Sequence, residues 1–103
     1  MQEKLEKIIC HYGVNNQQRK LIEELFELEE AITIYQKDIE EGDPNSVITS
    51  IIIENNLNHI AEEMADVLVL LEQFRIFYGI DLENVKKIGR RKIDRQINRI
   101  EEK

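Results

Sequence analysis

The sequence has 103 residues, 42% hydrophobic and 34% charged, with four glycines and a single proline. That mix fits one soluble helical domain over residues 1–103 and excludes disordered or collagen-like chains. A formal net charge of −7 excludes an extended nucleic-acid-binding surface and attraction to anionic membranes, and is compatible with divalent cations.

Cys10 is the only cysteine, so one chain can form neither an internal disulfide nor a thiolate metal cluster; it reads as a small buried hydrophobe on the first helix. MQEKLEKII lacks the apolar segment of a signal peptide, and no stretch is long and apolar enough to span a bilayer. A cytoplasmic location and no membrane partner are expected.

In chain order, Leu5, Ile8, Ile9 and Tyr12 predict a short helix over residues 2–12, stopped by Gly13. Asn15, with Gln18 three residues on, predicts a capping box opening a long second helix that ends at Gly42. Its core stripe is expected at Leu21, Leu25, Leu28, Ile32 and Tyr35, with Gln17, Lys20, Glu24, Glu27 and Ala31 along one flank and Glu23 and Glu30 further towards water. Asp43 and Pro44 read as a cap and a first helical residue. The β-branched run 47–53 weakens a helix there, yet no other stretch reads as a strand to pair with it. A short helix or an irregular connection is expected, interrupted by Asn55, Asn56 and Asn58.

Residues 59–79 form the most apolar helical run. Ile60, Met64, Val67, Leu71, Phe74 and Tyr78 make one stripe, and other apolar side chains spread round most of the circumference, the pattern of a buried helix. Glu63 and Asp66 fall beside that stripe, while Glu62 points further out. Gly79 closes this helix. Asp81 caps a final one that carries Leu82, Val85, Ile88, Ile93, Ile97 and Ile100, with Lys92, Arg95 and Arg99 on a neighbouring strip. The expected architecture is all-α, a four- to five-helix bundle-like chain.

Acids three residues apart are common in so acidic a chain: the sequence holds six such pairs, where composition alone gives about four. Glu24/Glu27 and Glu63/Asp66 differ from the others in lying beside the apolar stripes of the two strongest helices. If those flanks pack antiparallel, four carboxylates converge into an all-oxygen site suited to Mg²⁺ or Mn²⁺. The structural alternative is interhelical salt bridges from Lys20, Lys92 or Arg95. A di-iron bundle needs Glu-x-x-His on facing helices, and neither His11 nor His59 follows a Glu at that spacing. His59 reads as a helix-start polar residue or a support for a ligand.

Three segments together resemble a known family. QQRKLIEELFELEEAI contains Glu23-Glu24-x-x-Glu27, HIAEEMADVLVLLEQF contains Glu63-x-x-Asp66, and RRKIDRQINRI carries Lys92 and Arg95. Both acidic motifs, in this order and apolar context, resemble those of the MazG-like nucleotide pyrophosphohydrolases, the all-α nucleoside triphosphate pyrophosphatases. The likeness covers most of residues 10–100. It departs from the family in the longer gap between Glu27 and Glu63, where the segment 47–53 is the apparent extra.

The resemblance implies Mg²⁺, with Mn²⁺ an alternative, held by Glu24, Glu27, Glu63 and Asp66. Glu23 would assist as a nearby carboxylate, and Lys20, Lys92 and Arg95 would contact phosphates. It implies hydrolysis of a nucleoside triphosphate between its α and β phosphates, giving a monophosphate and pyrophosphate and clearing surplus or aberrant nucleotides. The metal would neutralise triphosphate charge and lower the pKa of a water that attacks in line. It also implies a homodimer or homotetramer whose sites use more than one chain. Tyr12, Phe26, Phe74 and Phe77 are candidates for a base pocket, though each reads more simply as core. The competing reading is a non-catalytic helical module for assembly or nucleotide sensing.

Overall fold

A computed structural model describes residues 1–102 as four helices, α1 (Gln2–Tyr12), α2 (Val14–Glu41), α3 (Val47–Phe77) and α4 (Leu82–Glu101). No strand occurs among the described residues, and the all-α expectation holds. The helix ends depart from the sequence expectations in informative ways. α1 and α2 are joined by Gly13 alone, at φ 89°, a left-handed conformation that costs glycine little. The helix therefore opens at Val14, before Asn15 can cap it, and the Asn16 side chain instead donates back to the Tyr12 carbonyl at 2.7 Å.

The second correction is larger. Asp43 caps no helix: its side chain accepts from the Asn45 amide at 3.0 Å, forming a tight polar turn. Ser46 takes the capping role, its hydroxyl accepting from the Thr49 amide. From there α3 runs unbroken for 31 residues, through both the β-branched run and the asparagines expected to interrupt it. Gly42 allows the turn, because a Cβ there would lie 2.6 Å from Thr49 Cγ2 and 2.7 Å from the Asp38 carbonyl.

α2 and α3 form an antiparallel hairpin whose register is fixed by polar contacts. Near its base Gln17 Nε2 donates to Gln73 Oε1 at 2.7 Å, with both side chains buried. Near its tip Asn56 Nδ2 donates to Asp38 Oδ2 at 2.7 Å. This explains why the asparagine stays within the helix. Gln17, Glu24, Ala31 and Asp38 are spaced by heptads on α2, as are Leu70, Glu63 and Asn56 on α3, the repeat of helices that pack along a common seam.

The seam does not follow the stripes expected from hydrophobicity. On α2 the buried residues are Gln17, Glu24 and Ala31, the expected flank, while Leu25 and Ile32 are exposed. On α3 they are Glu63, Val67, Leu70 and Gln73, while Met64, Leu68, Val69, Leu71, Phe77 and Tyr78 are exposed. A helix apolar nearly all round gives its periodicity no means of choosing a face; the polar partners choose it. Cys10 is exposed too, because Ile9 is the residue with which α1 enters the interior.

The hydrophobic core is small, comprising Ile9, Ala31, Val67 and Leu70. At the far end of α3 a Schellman turn uses Gly79, with the Ile80 amide donating to the Arg75 carbonyl at 2.9 Å and the Gly79 amide to Ile76 at 3.1 Å. α4 then leaves the hairpin, meeting α3 only around Leu82 and Val85, and buries no residue. The chain is accordingly open. Its accessible surface is 8380 Å², against about 6,100 Å² for a compact monomer of this mass. Its radius of gyration is 18.0 Å, against roughly 13 Å. No helix of the described residues is long and apolar enough to cross a membrane.

Replacing Gln17 or Gln73 alone with leucine strands the other amide in the seam and should cost about 1–3 kcal/mol. The double replacement should recover most of that loss. Urea denaturation of the three variants measures the difference, and additive losses would show that the amide pair is not what fixes the register.

Candidate metal centre

Midway along the hairpin the seam carries charge. Glu24 from α2 meets Glu63 and Asp66 from α3, each offering a carboxylate oxygen within 4.8 Å of the others. Glu63 and Asp66 are three residues apart on one helix, which puts both on the face turned to α2. The antiparallel register set by Gln17–Gln73 then brings Glu24 opposite them. Glu24 and Glu63 are 7% and 8% exposed, while Asp66 opens to solvent.

The surroundings compensate this charge only in part. Lys20 Nζ lies 3.4 Å from Glu24 Oε1, one turn away on the same helix, and its side chain is more than half exposed. His59 Nε2 lies 3.9 Å from Glu63 Oε1. The remaining oxygens, Glu24 Oε2 and Glu63 Oε2, are buried with no hydrogen-bond partner. A buried carboxylate oxygen left without a partner costs on the order of 1–3 kcal/mol or more. Carboxylate oxygens facing one another from two helices would suit a hard divalent cation. Such an ion holds its ligand oxygens about 3–4 Å apart, so small side-chain movements would close the cluster around it.

Glu27 stands on the rim of this cluster. It is exposed, one turn beyond Glu24. Its carboxyl is raised above the ordinary range, chiefly by the proton it would share with the Glu24 carboxylate, then by Coulomb repulsion from Glu24, with smaller contributions from burial and from Glu63. An open groove of about 410 Å³ runs from the rim, lined by Glu27, Glu30, Ala31, Ile34, His59 and Glu63.

Of the sequence candidates, the hairpin brings together Glu24, Glu63 and Asp66, with Glu27 alongside and Lys20 bridging to Glu24. Glu23 is exposed on the outward side of α2. Lys92 and Arg95 lie exposed on α4, which packs along none of the other helices, so one chain does not bring them to the carboxylates. Among the expected salt-bridge donors, only Lys20 reaches the cluster. His59 is not at a helix start but in the interior of α3, against Glu63; its position four residues before Glu63 was the available signal. Tyr12, Phe26 and Phe77 are exposed and Phe74 is half-buried, which corrects their reading as core; none of the four lines the groove beside the cluster.

The chain matches no protein-family model, no curated protein and no solved structure.

A glutamine at position 63 removes one unpaired charge and offers Glu24 Oε2 a donor. Glu63→Gln should therefore raise the metal-free melting midpoint by roughly 4–8 °C, the shift that ~1 kcal/mol produces in a domain of this size, while abolishing any stabilisation by Mn²⁺. The pH dependence has a defined sign. Because the folded-state pKa of Glu27 is raised, its contribution to stability is present below the ordinary carboxylate value and is lost as pH rises through the raised one. Glu27→Gln should flatten that decline in thermal melts from mild acid to neutrality.

Proposed function

We propose that the chain is a divalent-cation-dependent nucleoside triphosphate pyrophosphohydrolase, cleaving between the α and β phosphates. The observation that carries this reading is the pair of buried carboxylate oxygens, Glu24 Oε2 and Glu63 Oε2, that face into one cluster without a partner. The likeness of Glu23-Glu24-x-x-Glu27 and Glu63-x-x-Asp66 to the motifs of the MazG-like family supports the same conclusion.

Glu24, Glu63 and Asp66 would hold the cation, with Glu27 adding an oxygen from the rim and Glu23 a carboxylate further out. A bound Mg²⁺ or Mn²⁺ supplies Lewis acidity and charge neutralisation for a triphosphate. The protein residues do the rest. The groove between Glu27 and His59 admits the phosphate chain alongside the carboxylates. Water attacks the α phosphorus, the bond to the bridging oxygen breaks, and that oxygen leaves with pyrophosphate. Lys20, whose ammonium lies against Glu24 Oε1 on a side chain more than half exposed, is placed to offset charge developing on the departing group. Lys92 and Arg95 reach such a substrate only from another copy of the chain, consistent with a homodimeric or homotetrameric working unit. The large exposed apolar surface supports that assembly.

The same exposed surface also favours a second reading, a non-catalytic assembly or nucleotide-sensing module. One experiment separates them. Purified protein with Mg²⁺ should release pyrophosphate from at least one member of a panel of ribo-, deoxy- and base-modified triphosphates. Asp66→Asn, an exposed change that leaves the seam intact, should lower that rate at least 100-fold. No pyrophosphate from any member would overturn the catalytic reading. Binding of a non-hydrolysable triphosphate without turnover would establish the sensing module in its place.

A further inference from the structure

A groove larger than the one beside the carboxylates lies elsewhere in the hairpin. About 610 Å³ in volume, it lies at the α2–α3 turn, floored by Ile39, Ile53 and Leu57 and bordered by Glu40 from α2 and Glu54 from α3. Val47, Ile48, Ile51 and Ile52 add exposed apolar surface beside it. Residues 38–54 contain five acids and no base. This tip is built by the segment that lengthens the hairpin.

α4 presents the complementary surface. It buries nothing, and beyond the contact of Leu82 and Val85 with α3 the side chains of Ile93, Ile97 and Ile100 continue the same stripe, about 120° wide in all. Lys92 and Arg99 border one edge of that stripe and Lys86 falls within it, while the other edge carries Arg90 beside Glu83, Asp94 and Glu101. The helix carries seven basic residues against three acidic ones. An apolar stripe edged on one side by Lys92 and Arg99 matches an apolar groove edged by Glu40 and Glu54.

The chain's own α4 cannot make this contact. It starts beyond the opposite end of α3, and its 20 residues span about 30 Å. Folded back along α3, it would end near Leu57, the near edge of the groove, and leave Thr49, Ser50 and Ile53 uncovered.

We propose that α4 of a second copy occupies the groove, with each copy of a two-fold pair lending its α4 to the tip of the other. This rests on the reading that the working unit holds more than one copy, and adds which surfaces meet. The area suffices: each chain exposes about 2,300 Å² more than a compact monomer, against about 800 Å² per partner in a standard interface. Reciprocal exchange closes the assembly without leaving an unpaired tip or helix.

Analytical ultracentrifugation of the full chain tests this with charge reversals at exposed positions. Glu40→Lys with Glu54→Lys, and separately Arg90→Glu with Arg99→Glu, should each weaken self-association at least tenfold while circular dichroism shows helicity retained. Mixing the two variants should restore association, because the mixed pair joins wild-type α4 to a wild-type groove and reversed α4 to a reversed groove. In the wild type, zero-length carbodiimide coupling should join a peptide from residues 38–54 to one from 86–99 within the covalent dimer. A wild type that stays monomeric at tens of micromolar would overturn both this contact and the multi-copy reading. Association that ignores the reversals, a mixture that fails to recover, or a dimer without that cross-link would overturn the contact alone.

Discussion

Burial of polar side chains between α2 and α3 is the constraint from which the rest of this molecule follows. A helix as apolar as α3 gains from almost any rotation against its neighbour, since each face offers similar hydrophobic area. Polar groups are less tolerant. Each buried amide or carboxylate left without a partner costs on the order of 1–3 kcal/mol or more, so a slip that separates Gln17 from Gln73, or Asp38 from Asn56, is opposed at both ends of the hairpin. The native register satisfies both pairs. It is also the register that brings Glu24 against Glu63 and Asp66, so packing specificity and the candidate site are one property of the seam.

Devoting the seam to polar residues has a consequence for the remaining surface. Side chains that would ordinarily fill a core, among them Leu25, Ile32, Met64, Leu68 and Leu71, are turned outwards, and the interior is left with four hydrophobic residues. A core so small gives a single chain little stability of its own. The outward faces are where further stability is available, and α4, which buries nothing within its own chain, is the extreme case. Assembly of the kind proposed would compensate for apolar area given up to the seam.

Much of this organisation was legible in the sequence, though the reason for it was not. The stops of α1 and α2 followed from apolar spacing and from Gly13 and Gly42, the start of α4 from Asp81, and Glu24, Glu63 and Asp66 could be singled out as acids beside apolar stripes. Periodicity failed at the choice of face. It located the strongest hydrophobic stripe and assumed that this was buried, whereas Gln17 and Gln73, individually unremarkable, only become informative as a pair. Asn56 misled for the same reason: alone it reads as a break, and opposite Asp38 it is a helical residue with its hydrogen bond satisfied. Pairings across 56 or 18 residues leave no local signal. The Ser46 cap was hidden by the better-looking Asp43-Pro44 beside it.

The layers of the seam also argue about one another. The basal layer pairs two neutral amides, and the layer near the tip pairs an amide with a carboxylate; each closes its hydrogen bond. The central layer alone sets carboxylate against carboxylate and leaves two buried oxygens without a donor. Register needs nothing of the kind, because a third amide pair would specify the alignment as well and without electrostatic repulsion. Nor does the environment neutralise the layer: among the described residues one lysine pairs with Glu24, and a histidine lies 3.9 Å from Glu63. A fold that can build satisfied polar layers above and below the centre, and instead accepts repulsion at the centre, carries a local cost that packing does not explain. A cation shared by the two helices would remove the cost and turn the same oxygens into a joint between α2 and α3, with the groove beside it left open to a substrate.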